Sequence, residues 1–131
     1  QDAKFLADDF PHILIILNHA GLPYDRSIDG LKSWRNAINI ISQCPNVIVK
    51  ISGIGVPNST WNKYNNESII NYLIDKFGAD RCMFGSNFPV DSLCASYDQI
   101  VETLFECISD LTNTEIENIF YNNAIKFYKP L

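Results

Sequence analysis

The sequence predicts a parallel α/β fold made of three consecutive βα units of a barrel, and three observations carry this. Aliphatic runs at 13–18 and 47–51, with a shorter one at 82–84, lack the polar alternation of a sheet with one wet face. Stretches of helical apolar spacing separate them. The runs recur at roughly 35 residues, as right-handed βαβ crossovers require. No Gly-rich phosphate turn follows the first run, so a dinucleotide-binding sheet is not indicated.

Each element has its own signal. Residues 2–10 place Phe5, Leu6 and Phe10 on one helical stripe, with no cap before them and no initiator Met, so the chain reads as starting inside an element. Pro11 ends that helix and the first strand follows. A loop through Gly21, Pro23 and Asp25 leads to a helix from about Leu31, with Leu31, Trp34, Ile38 and Ile41 in phase until Pro45. After the second strand and a polar stretch, Ile69, Ile70, Leu73, Ile74 and Phe77 mark a third helix, with Gly78 in the C-terminal capping position. Ser96 and Gln99 form a capping-box pattern before a helix whose stripe is Tyr97, Ile100, Leu104, Phe105 and Ile108. Thr112 with Glu115, or Thr114 with Glu117, caps a last helix carrying Ile116, Ile119, Phe120 and Phe127, which Pro130 ends. No linker divides the chain, and 1–131 reads as a single partial domain.

Composition excludes several functions. A net charge of −5 leaves no basic stripe for phosphates, so nucleic acid is not an expected partner. No apolar run approaches the ~20 residues a membrane span needs, and no signal segment opens the chain. Cys44, Cys82, Cys94 and Cys107 are widely spaced, which fits reduced thiols and a cytoplasmic location. Asn58 and Asn66 open glycosylation sequons to which no weight attaches without an export signal.

In parallel α/β folds the loops after the strands build the site. His19 ends the first strand, where an imidazole can accept a proton, bind a metal, polarise a carbonyl or simply be satisfied by backbone. Asn18 precedes it. Lys50 interrupts the second strand and shares a face with Ile48 and Ser52. An ammonium facing a barrel interior needs pairing, and an acidic group on a strand outside this chain is the favoured partner. Asn87 follows the third strand on the face of Gly85 and Met83, able to orient a ligand but not to act as a base. Asp91, four residues on, either supplies a carboxylate or, as favoured, has a capping or structural role in the loop before the next helix. His12 lies at the opposite strand end and is expected on the surface.

These motifs resemble the amidohydrolase-related family of TIM-barrel hydrolases, in the branch with lactonases such as 2-pyrone-4,6-dicarboxylate hydrolases. The resemblance rests on NHAGLP at 18–23, Trp34-Arg35, NVIVKISG at 46–53, FGADR at 77–81, MFGSNFPVD at 83–91 and NAIKFY at 123–128. It implies that the strands are the last three of eight, the C-terminal three βα units of a (β/α)8 barrel plus a terminal helix. In such enzymes the His at position 19 contacts substrate or metal, and an Asp usually stands where this chain has Asn87. The first-strand His-x-His pair of the family is absent here. The resemblance therefore implies His19 and Asn87 as catalytic groups, and Asn18, Lys50, Ser52 and Asp91, at the same strand ends, are expected to contact substrate. No metal is expected in this chain, although zinc is possible in a full-length parent. That parent is expected to hydrolyse a lactone or related cyclic ester or amide, a small-molecule substrate, and this piece alone to be inactive. The alternatives are a non-catalytic binding remnant, an unrelated small α/β protein, and self-association or pairing with the missing barrel portion to cover the open face.

Overall fold

The computed structural model describes residues 2–56 and 59–129. Three parallel strands, β1 (Ile15–Leu17), β2 (Val47–Ile51) and β3 (Cys82–Phe84), form one sheet in the order β1-β2-β3. Ile15 aligns with Val47, and Val49 with Cys82. The helices are α1 (Asp2–Asp9), α2 (Ile28–Ile41), α3 (Lys63–Phe77), α4 (Tyr97–Cys107), α5 (Asn113–Glu117) and α6 (Asn123–Tyr128), with a π-helical turn over Asn118–Asn122 joining the last two. Parallel pairing aligns all three strand C-termini along one edge, so β1, β2 and β3 deliver their following loops to one place.

The sheet faces differ. Val47, Val49, Ile51 and Cys82 pack under the helices with Trp34, Ile38, Ile69, Ile70, Leu73 and Ile119 in one core. The opposite face carries Ile16, Ile48, Lys50 and Met83 by alternation. Here β1 and β3 each pair on one side only among the described residues. All three β1 residues are half-buried, so the expected strand buried on both faces is instead an edge strand.

Capping follows the sequence closely. Ser27, Asn62, Ser96 and Thr112 cap α2, α3, α4 and α5 through their side chains, with reciprocal boxes at Ser96–Gln99 and Thr112–Glu115. Of the two caps considered for the last helix, Thr112 is used. Gly78 ends α3 at φ 74°, a conformation glycine adopts without a Cβ penalty.

Two expected core stripes fail, one wholly and one in part. Phe5, Leu6 and Phe10 are exposed, and α1 buries Ala7 instead. Tyr97 and Phe105 on α4 are also exposed, while Ile100, Leu104 and Ile108 are buried as expected. In an open three-stranded sheet there is too little neighbouring surface to cover every apolar position on these helices. His12 is exposed, as expected. Asn58 of the first sequon and Pro130, expected to end the last helix, lie outside the described residues.

At the N-terminal end of the sheet, side chains collect backbone carbonyls. Asn46 Nδ2 donates to the Ala7, Phe10 and Ile13 oxygens. Arg81 donates to those of Ser42, Cys44, Val47 and Phe77. Asn123, almost fully buried, donates to Ala79 and Cys82 at 2.7 Å each. Removing a buried donor leaves its acceptors unsatisfied, at roughly 1–3 kcal/mol per group. Asn123→Leu is therefore expected to lower unfolding stability by roughly 2–4 kcal/mol in urea titration, and Asn71→Ala on the exposed face of α3 to change it little.

Candidate functional site

The β1 end is shaped by an unusual backbone. His19, Ala20, Gly21 and Leu22 all have positive φ, between 53° and 68°. A left-handed conformation costs a non-glycine residue roughly 1–2 kcal/mol, so something must hold it. Trp34 on α2 is buried and its indole N–H donates to the Ala20 carbonyl at 2.8 Å. Backbone bonds from Gly21 to Asn18 and from Leu22 to His19 close the turn. The result swings the His19 ring over the end of β2.

There His19 Nδ1 lies 3.1 Å from Ser52 Oγ, and Ser52 is buried. Gly53 follows with φ 57°. A Cβ on it would stand 2.5 Å from His19 Nδ1 and 3.2 Å from Asn87 Nδ2, so all three strand ends meet at the bare Cα of Gly53. A glycine is required there on both grounds of space and conformation.

Asn87 is itself left-handed, at φ 53°, and its Nδ2 donates to Asp91 Oδ1 at 2.9 Å. Asp91 is buried, and its Oδ2 has no partner among the described residues. Of the capping or structural role favoured for Asp91, only the capping is corrected: Ser96 caps α4, and the Asp91 carboxylate holds the Asn87 amide. The short helical turn Val90–Leu93 brings position 91 back over position 87. This arrangement also accounts for asparagine at 87. An aspartate would set two carboxylates within hydrogen-bond distance, whereas the amide offers an N–H to one and keeps its own oxygen for a ligand.

The remaining expected residues divide. Lys50 Nζ lies 3.3 Å from Tyr128 Oη and 5.8 Å from that ring, a phenol from the C-terminal helix, while the acidic partner was expected on a strand outside this chain. Ser52 is in the site. Asn18 is exposed and makes no side-chain cap bond to the turn it precedes. Sequence reading missed Cys94, whose Sγ would lie 2.9 Å from a Cβ on Gly55, beside Asp91. Its thiol is pushed up by desolvation and, secondarily, by the Asp91 charge. Cys82, deeply buried, is pushed up to about 12.

A zinc site takes three or four protein ligands. Among the described residues no group of three His, Cys, Asp or Glu side chains comes together. His19 offers one ring nitrogen and Asn87 one amide oxygen, a donor set that does not fit a resident zinc by itself.

With strands, turns and polar groups in these positions, the comparisons define the class. The family profile described as amidohydrolase matches residues 2–129, and the chain belongs to that family. It is 40% identical over 124 residues to an uncharacterised protein, y4mH, of Sinorhizobium fredii, spanning 95% of this chain and 41% of that one. It is 35% identical over 97 residues to L-fucono-1,5-lactonase of Burkholderia multivorans, covering 66% of this chain and 32% of the lactonase. A crystal structure of an amidohydrolase from Burkholderia multivorans superposes with a TM-score of 0.88 at 27% identity, over 99% of this chain and 49% of that one. A second crystal form of an amidohydrolase from that organism was solved with bound zinc. A 2-pyrone-4,6-dicarboxylic acid hydrolase from Pseudomonas putida shares the fold, with a TM-score of 0.65 at 19% identity over 97% of this chain. The chain thus spans about half or less of the length of these relatives, and its three βα units are part of their TIM barrel.

Gly53→Ala is expected to displace the His19 ring, seen as a change in its imidazole resonances, and to destabilise the fold by roughly 1–3 kcal/mol. Because a raised thiol pKa means less thiolate at any given pH, alkylation of Cys94 by iodoacetamide is expected to rise only above the usual thiol range. Asp91→Asn keeps an acceptor for Asn87, removes the charge, and is expected to move that rate profile to lower pH.

Proposed function

We propose that the protein containing this chain hydrolyses a lactone of a small polar molecule such as a sugar acid. The observation that carries this reading is the convergence of His19, Ser52 and Asn87 at Gly53, in a chain 35% identical to an L-fucono-1,5-lactonase over the shared region. Ser52 Oγ–H donates to His19 Nδ1 in the tautomer with hydrogen on Nε2. That Nε2–H then serves as donor to the lactone carbonyl oxygen. Water adds to the carbonyl carbon, the developing oxyanion is stabilised by the imidazole, and the ring C–O bond breaks as the departing ring oxygen takes up the proton released by the water, giving a hydroxy acid. Asn87 Oδ1, freed by the bond from Nδ2 to Asp91, accepts from the water and orients it. Lys50, which lies beside Ser52 against Gly85, and Asn18, next to His19 in sequence, are assigned as substrate contacts.

The relatives are more than twice as long as the aligned part of this chain. Residues 1–131 alone are accordingly assigned little or no activity. A cytoplasmic setting fits the four free thiols. A second reading, a non-catalytic piece that self-associates, is favoured by Asn87 in place of Asp and by the two unpaired sheet edges. Sedimentation of the chain separates the two: a dimer with no rate restored by longer parent protein supports the second.

The direct test is a screen of full-length parent protein against sugar lactones. His19→Ala is expected to lower kcat/KM by about 10²- to 10³-fold, the usual loss for one oxyanion donor. Asn87→Asp is expected to lower it as well, by repulsion from Asp91. Full activity in His19→Ala would overturn the mechanism.

A further inference from the structure

A cavity of about 370 Å³ lies outside the site just described, between the loop after β1 and the loop after β2, at the first turn of α3. Arg26 lines it. The Arg26 guanidinium is half-buried, and desolvation pulls its pKa below the usual arginine value. Nη2 donates to the Ile54 carbonyl at 2.7 Å and Nη1 more weakly to that of Asn65 at 3.4 Å. A guanidinium has five N–H donors, so three remain without a partner among the described residues. Nε is one of them, and it is buried. Trp61, on the same cavity wall, likewise has a buried indole N–H without an acceptor among the described residues.

Charge is unbalanced here as well. No acidic side chain lines the cavity, and Arg26 enters no ion pair among the described residues. Pro57 and Asn58, which complete this loop in sequence, carry no charge. A half-buried cation whose donors are unspent costs free energy unless something negative pairs with it. Thr60 and Ser68 add hydroxyls to the lining, and the start of α3 adds the positive end of a 15-residue helix. We propose that this cavity is a binding site for the carboxylate of a small molecule, held by Arg26 and Trp61. Trp61 also lines the small gap beside Ser52 and Gly85, which puts the subsite next to the strand ends. The proposal stands independently of the hydrolytic reading.

The chain contains two tryptophans, Trp34 and Trp61, and so two indole N–H resonances. Sodium acetate is titrated into ¹⁵N-labelled chain at constant ionic strength balanced with chloride, with inorganic phosphate in a second arm. Trp61→Phe assigns the peaks. The Trp61 resonance is expected to move saturably with acetate while that of Trp34 stays, and Arg26→Gln to weaken the response at least about tenfold. Should Arg26→Gln lose its spectral dispersion, Thr60→Glu, at an exposed rim position, replaces it by supplying a competing carboxylate, and the acetate response should vanish. A Trp61 resonance that does not saturate, an unchanged titration in a folded Arg26→Gln or Thr60→Glu, or saturation with phosphate but not acetate overturns the assignment.

Discussion

The bond from the Trp34 indole to the Ala20 carbonyl is the contact on which the strand-end geometry depends. Four successive residues, His19 to Leu22, sit at positive φ, and two of the local backbone bonds that close the turn are its own. Such a turn is costly without an external anchor. Trp34 supplies it from the buried face of α2, where Ile38 and Ile41 fix the helix against the sheet. The packing of α2 therefore sets where the His19 ring lies, and the ring's position in turn defines what Ser52, Gly53 and Asn87 can do.

The two ends of the sheet treat hydrogen bonding differently. Asn46, Arg81 and Asn123 spend their donors on backbone carbonyls at the N-terminal end. That end is built for stability. At the C-terminal end, polar groups retain unspent capacity: the second ring nitrogen of His19, the Asn87 amide oxygen, Asp91 Oδ2, and the free N–H groups of Arg26 and Trp61. Unspent buried capacity costs free energy. Its concentration at the strand ends, where parallel folds place their chemistry, gives the asymmetry a functional reading.

Much of this was legible from residue pattern alone. The strands at 47–51 and 82–84, the in-phase residues of α2 and α3, the Gly78 cap and the Ser96 box follow from local rules of periodicity and capping, and the structure keeps them. His19 at a strand end was legible for the same reason. Features made by several elements together were not. Nothing local marks Ala20 or Leu22 as left-handed, because the stabilising donor is 14 residues from Ala20. Asp91 looked like a helix cap because loop carboxylates before helices usually are. Only the turn Val90–Leu93 directs it back to Asn87. Arg26 and Trp61 carried no signal, since their shared cavity depends on two loops meeting. The apolar stripe of α1 misled because periodicity reports which side is apolar and not whether anything covers it.

Three consecutive residues after β2 tie these regions into one unit. Gly53 abuts His19 from the β1 end and Asn87 from the β3 end. The Ile54 carbonyl accepts the strongest Arg26 bond, and the Gly55 Cα leaves room for Cys94 beside Asp91. All three are buried, and two have no side chain, so the loop cannot shift toward one neighbour without losing contact with another. The Arg26 bond therefore fixes the Ile54–Gly55 peptide, and with it the place of the Gly55 Cα against Cys94 and Asp91, while Gly53 on the other side of Ile54 faces the imidazole. The site and the cavity share a wall one residue thick, and the absence of a Cβ on either side of Ile54 is what lets that wall fit between them.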